Sequence, residues 1–140
     1  MEIKTKDYLE NKQIIIKQLD EYTVETVPEL SQYEFKPISL VCEEDGQIFG
    51  RIVGEIHWHY LRIELFYVDG KIRGKGVGSR MLSEIEQIAE KEQCSLVFLE
   101  TMSFNAPAFY LHHGYEIIGQ IDNHPLEDET HYFMCKRLKG

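Results

Sequence analysis

The stretch Leu65-Phe66-Tyr67-Val68-Asp69-Gly70-Lys71-Ile72-Arg73-Gly74-Lys75-Gly76-Val77-Gly78-Ser79 decides how the rest of the chain is read. Its first four residues are apolar and aromatic, as at the end of a strand. Its last three open an amphipathic helix, with Val77, Met81, Leu82, Ile85, Ile88 and Ala89 on one stripe. Between them, Gly74, Gly76 and Gly78 let the backbone approach a ligand closely and adopt conformations closed to other residues. A helix start offers unpaired N–H groups and the positive end of a dipole, so the junction is an anion site. Lys71, Arg73, Lys75 and Arg80 place four positive charges in ten residues that hold no acid, within a chain of net charge −9.

Spacing narrows the anion. A phosphate loop of the form GxxxxGK[ST] fails, because Gly70 to Lys75 is one residue short and Gly76 stands where a hydroxyl should meet magnesium. The dinucleotide pattern GxGxxG fails at Ser79, and no acid ends a suitable second strand to hold a ribose. RxxGxG remains, met by Arg73, Gly76 and Gly78.

The elements on either side complete the pattern. Residues 7–22 read as a helix, with Thr5 or Asp7 as cap, and 23–37 as a loop or short helix. Residues 38–43 and 48–60 read as strands joined at Asp45-Gly46, and Gly50 and Gly54 announce a bulge or a close approach. Residues 61–68 form a third strand, 95–102 a fourth, and 115–121 and 131–138 the last two. A short helix over 106–113 is stopped by Gly114. The early strands form an antiparallel meander, and the unit from 61 to 102 forms a right-handed parallel crossover. The class is α/β (α+β), a mixed, mostly antiparallel sheet with flanking helices in one domain over 1–140.

With Val68-Asp69 followed by Arg-Gly-x-Gly-Val-Gly-Ser, the sequence resembles the GCN5-related N-acetyltransferase (GNAT) family over residues 38–138. Ala106, Phe109-Tyr110 and Gly114-Tyr115 meet the spacing of that family's later motif. The resemblance implies acetyl-CoA as co-substrate. The backbone of Gly74, Lys75, Gly76, Val77, Gly78 and Ser79, beside Arg73, would cradle its pyrophosphate. Phe66, Tyr67 and Val68 would pair with its pantetheine arm along a strand that splays from its neighbour. It also implies direct transfer to a primary amine, with the Tyr110 phenol protonating the departing thiolate and a backbone N–H, that of Val68, meeting the oxyanion. The family's asparagine position is Ser103 here. Asn105, displaced by two residues, either caps the following helix or contacts the pantetheine arm.

A neutral amine is the attacking species, so a proton acceptor is useful. Glu64 is the first candidate, on the strand before the glycine turn and in alternation with Phe66 and Val68. Glu100 is the second and Glu55 the third, and a water relay is the alternative to all three. His57 and His59 share a face if their segment is a strand, but two histidines without a third ligand are weak evidence for metal, and none is assigned. His112 and His113 read as helix-surface residues. Cys42, Cys94 and Cys135 are an odd number without a CxxC, which fits reduced structural thiols.

Composition bounds the partners. A net charge of −9 argues against nucleic acid or an anionic membrane and is compatible with a small-molecule or protein amine. No apolar run approaches the roughly 20 residues of a membrane span. The charged start, Met1-Glu2-Ile3-Lys4, leads into no signal-peptide core. A cytoplasmic protein is the default. Exposed sheet edges make a homodimer compatible with the pattern. A non-catalytic acyl-CoA sensor on the same fold is the competing expectation.

Overall fold

A computed structural model of the chain describes residues 1–32, 35–72 and 74–138. They fall into two compact units, Met1–Glu34 and Phe35–Gly140. The first unit is helix α1 (Tyr8–Thr26) followed by a 3-10 turn (Pro28–Gln32). Asp7, not Thr5, starts α1: its carboxylate accepts the Glu10 N–H at 3.0 Å, which satisfies an otherwise orphaned donor.

The second unit holds strands β1 (Lys36–Glu44), β2 (Gln47–His57), β3 (Tyr60–Val68), β4 (Leu96–Met102), β5 (Glu116–Asp122) and β6 (Thr130–Arg137). Helix α2 (Val77–Lys91) joins β3 to β4, and α3 (Pro107–His112) precedes β5. The strands form one sheet in the order β1-β2-β3-β4-β6-β5. Every neighbouring pair is antiparallel except β3 and β4, which are the parallel ends of the crossover. The mixed α/β sheet is therefore as expected, and the order adds that β6 enters between β4 and β5.

Two tight turns shape the meander. Asp45 and Gly46 have φ of 51° and 80°, the left-handed pair that matches strand twist in a two-residue hairpin. Trp58 and His59 do the same with φ of 45° and 72°. This corrects the expectation of a strand through residue 60: His59 is a turn residue and does not share a strand face with His57. His57 stacks on Trp58 at 4.1 Å between ring centroids and meets Phe35 edge-on at 6.2 Å, so it belongs to an aromatic cluster. Among the described residues no group of three or more His, Cys, Asp or Glu could hold a metal ion.

The core lies between the sheet and α2. Met81, Leu82, Ile85 and Ala89 pack against Ile52, Leu61, Val97, Leu99 and Met134, all buried. Gly50 lets Met81 pack closely on β2, since a Cβ there would stand 2.5 Å from the Met81 sulfur and shift that side chain. Cys94 is also buried, and burial foremost, with the charge of Glu92 second, pushes its thiol above the ordinary range.

One acid sits on the buried stripe of α2. Glu86 is 8% exposed, accepts the Tyr115 hydroxyl at 2.6 Å and the Lys136 ammonium at 2.8 Å, and so ties α2 to β6 and to the entry of β5. Burial, then the bond to Glu86, raises the Tyr115 phenol far above its ordinary range, so it stays a donor. Replacing Glu86 with alanine takes the acceptor from the buried Tyr115 hydroxyl and the carboxylate from the half-buried Lys136 ammonium. The expected loss is about 2–4 kcal/mol in urea unfolding at pH 7. A loss under about 0.5 kcal/mol would show that water satisfies these groups.

Candidate active site

The site begins where the sheet comes apart. β3 and β4 pair from Tyr60–Leu96 to Ile63–Leu99 and no further. At that point the pairing of β2 with β3 skips a residue: Val53 faces Leu65 and Gly54 faces Ile63. Glu64 is the extra residue of a β-bulge. Gly54 is needed opposite it, because a Cβ there would stand 2.5 Å from the Arg62 carbonyl oxygen. The bulge resets the alternation, with Leu61 and Ile63 buried before it and Phe66 and Val68 half-buried after it. The expectation that Glu64 alternates with Phe66 and Val68 is thus corrected.

Beyond the bulge, the backbone of β3 turns toward the gap. The Asp69 N–H donates to the Phe49 carbonyl at 2.7 Å, so residue 69 points at β2. By alternation Val68 and Phe66 direct their N–H and C=O groups the other way. The result is a cleft of about 740 Å³ lined from Ile63 to Val68 on one side and Leu99, Glu100 and Thr101 on the other. Gly74, Gly76, Val77, Gly78 and Ser79 close one end, and Phe104, Asn105, Ala106, Phe109 and Tyr110 complete the wall.

The glycine end is built for an anion. Gly76 is the N-cap of α2 in the left-handed conformation, φ 77°, and no side chain caps the helix. The first helical bond is from Arg80 N–H to Gly76 C=O at 3.0 Å, so the N–H groups of Val77, Gly78 and Ser79 have no partner within α2. Gly74, at φ 89°, and Gly76 have nothing within 4 Å of where a Cβ would stand, which leaves open space for a ligand. Gly78 lies under Phe109, where a Cβ would be 3.4 Å from the ring. Lys75 is exposed and does not line the cleft, and Arg73 lies outside the described residues.

Tyr110 is half-buried on α3 and lines the same cleft. Its ring meets Phe109 and Tyr115 edge-on at 5.2 and 5.7 Å. Burial pushes its phenol above the ordinary range, so it stays protonated at neutral pH. Of the three carboxylates, Glu64 and Glu100 line the cleft, while Glu55 lies on β2 facing Arg62, off the lining. Glu100 is engaged: Arg62 donates to one oxygen at 3.3 Å, and His131 Nε2 lies 2.9 Å from the other. Glu64 has no hydrogen-bond or ion-pair partner among the described residues.

Two further expectations change. Asn105 does not cap α3; Ala106 is the N-cap, left-handed at φ 54° and without a side-chain bond, and Asn105 faces the cleft instead. Ser103, at the position of the family's asparagine, is turned away to bind the Glu129 carboxylate and to accept the Thr130 N–H at 2.8 Å. His113 is not a plain surface residue: its Nε2 lies 2.9 Å from Ser79 Oγ and its ring packs on Phe109 at 4.7 Å. Thr101, Phe104 and Leu65 also line the cleft, and no local motif distinguished them in the sequence.

Comparison with known proteins agrees with this geometry. The profile of the acetyltransferase (GNAT) family matches residues 6–115. The chain is 38% identical over 98 residues to blasticidin-S acetyltransferase of Streptomyces morookaense, covering 69% of this chain and 71% of that protein. A crystal structure of an acetyltransferase from Bacillus cereus superposes with a TM-score of 0.86 at 34% identity, covering 99% of this chain and 98% of the other. A Bacillus anthracis acetyltransferase crystallised with acetyl coenzyme A superposes with a TM-score of 0.66 at 29% identity, covering 74% of this chain and 64% of that one.

Proposed function

Since the chain belongs to the GNAT acetyltransferase family, we propose that it moves the acetyl group of acetyl-CoA directly onto a primary amine of a small-molecule acceptor, with residues 1–140 acting as one acyltransferase domain. One observation carries the proposal. The parting of β3 from β4 after Ile63 and Leu99 opens a single cleft that holds the uncapped start of α2, the free carboxylate of Glu64 and the phenol of Tyr110. The named relative, a blasticidin-S acetyltransferase, supports a small-molecule acceptor. The net charge of −9 is compatible with a cationic one.

The open glycine turn fits a pyrophosphate, and the outward backbone groups of Phe66 and Val68 fit an extended amide arm. Acetyl-CoA supplies an acyl group activated as a thioester. Glu64 takes a proton from the acceptor ammonium and frees its lone pair. A carbon–nitrogen bond forms and the carbon–sulfur bond breaks, with the Val68 N–H directed at the developing oxyanion. Tyr110 gives its proton to the thiolate and is restored, through solvent, by the second proton that the acylated nitrogen sheds as it becomes the amide. Asn105, on the cleft wall, would bond the arm.

The test is release of free thiol by the full chain given acetyl-CoA and a panel of primary amines. Amine-dependent release with an N-acetylated product is expected. Binding of acetyl-CoA without release across the panel would instead make the protein an acyl-CoA sensor. With an acceptor in hand, Glu64→Gln should lower kcat/KM by about 10²-fold, most at low pH where little amine is neutral. An unchanged pH profile would move the proton to solvent or to Glu100.

A further inference from the structure

The first turn of α2 and the last turn of α3 meet through one pair of side chains. Ser79 Oγ and His113 Nε2 are 2.9 Å apart in a partly buried contact. His113 is the C-cap of α3, where its N–H donates to the Tyr110 carbonyl at 3.0 Å. Its ring is held against Phe109 at 4.7 Å, and Phe109 covers Gly78. Ser79 therefore has the cleft on one side and an oriented imidazole on the other.

A hydroxyl has one hydrogen to donate and two lone pairs to offer. If Nε2 is bare, Ser79 must spend its hydrogen on the ring. If Nε2 carries a hydrogen, the ring donates to Oγ, and the hydroxyl hydrogen is free to turn into the cleft beside the N–H groups of Val77, Gly78 and Ser79.

We propose that His113 is a positioning residue for the co-substrate, donating Nε2–H to Ser79 Oγ and so aiming the hydroxyl hydrogen at the pyrophosphate of acetyl-CoA. The inference rests on the reading of the α2 start as the pyrophosphate site. It adds a linkage. The bound pyrophosphate favours the form of His113 that donates from Nε2, and most of all the imidazolium, which has no other form. Basic and titratable residues of the neighbouring elements bear on that charge. On its own element His112 lies 5.5 Å away. From α2, Arg80 follows Ser79. From β6, the Lys136 ammonium approaches Gly114 and is offset by Glu86 at 2.8 Å. The anion raises the affinity of His113 for its proton, so binding takes up protons.

The experiment is calorimetric titration of the full chain with CoA between about pH 5.5 and 8.5, the span in which histidines change charge. It is run in buffers of different ionisation enthalpy, with His113 followed by NMR. Proton uptake on binding, with a change in the His113 ring signals, is expected. His113→Gln keeps a non-titrating donor in reach of Ser79, and should hold affinity within about threefold while flattening its pH dependence. His113→Phe and Ser79→Ala should each weaken CoA by about tenfold, the scale of one hydrogen bond to a charged group, and combining them should add little. Wild type that binds CoA with no proton uptake, or additive losses in the double variant, would overturn the inference while leaving the cleft's function standing. Wild type that does not bind CoA would overturn both. If the Phe variant fails to fold, the Gln and Ala variants decide.

Discussion

Replacing Tyr110 with phenylalanine lowers kcat by about 10²- to 10³-fold and leaves CoA affinity within about threefold. The change removes one oxygen from a half-buried ring whose packing against Phe109 and Tyr115 does not need it. The hydroxyl has no hydrogen-bond partner among the described residues, so its removal strands nothing. Its loss should appear in the step that expels the thiolate, where a positioned proton donor is worth that factor. Because burial raises the phenol, wild type should show no alkaline fall from Tyr110 below about pH 10, the ordinary tyrosine value. Single-turnover kinetics with acetyl-CoA separate the chemical step from release. Equal kcat in the two proteins would assign the thiolate's proton to solvent.

Gly76→Glu weakens acetyl-CoA binding by about 100-fold or more. Gly76 holds φ at 77°, which costs roughly 1–2 kcal/mol for a residue with a Cβ. Escape from that conformation would misdirect the N–H groups that start α2. The carboxylate would also stand in the open space beside them and repel the pyrophosphate. Gly76→Ala isolates the backbone part and should cost about tenfold. The core lies elsewhere, so both variants should unfold within about 2 kcal/mol of wild type in urea. Undiminished binding in Gly76→Glu would place the anion at another site.

Local signals and tertiary ones differed in how far the sequence revealed them. The start of α2 at Val77 is legible in the sequence, because a 3.6-residue apolar stripe directly after the glycines admits little else. The Asp45-Gly46 turn was equally plain, whereas Trp58-His59 adopts the same turn without its usual residues and was read as strand. Gly50 and Gly54 announced a crowded backbone. Only pairing with Leu65 and Ile63 revealed that Glu64 is the residue squeezed out. The place of β6 beside β4 depends on long-range pairing that no local pattern carries. The roles of Glu86 and His113 were hidden for a related reason. A stripe of apolar residues does not show a buried acid paired with Tyr115 and Lys136, or an imidazole across from Ser79.

The glycine turn is legible from its residue types and spacing, whereas Tyr110 is singled out by the family resemblance. Asn105 and Ser103 show the limit of that approach. Both lie near the expected position, but Ser103 is drawn off by Glu129 and Asn105 faces the cleft without capping α3. Which carboxylate is left unpaired also depends on tertiary contacts, since Arg62 and His131 engage Glu100 and not Glu64.

The proposed place of acetyl-CoA is the gap between β3 and β4, with its pyrophosphate on the first turn of α2. Titrating the ¹⁵N-labelled chain with acetyl-CoA and following backbone amides tests it most directly. The largest shifts are predicted at Gly74, Gly76, Val77, Gly78 and Ser79, with a second set at Phe66 and Val68. Shifts confined to β1, β2 or α1, or none at saturating acetyl-CoA, would contradict it.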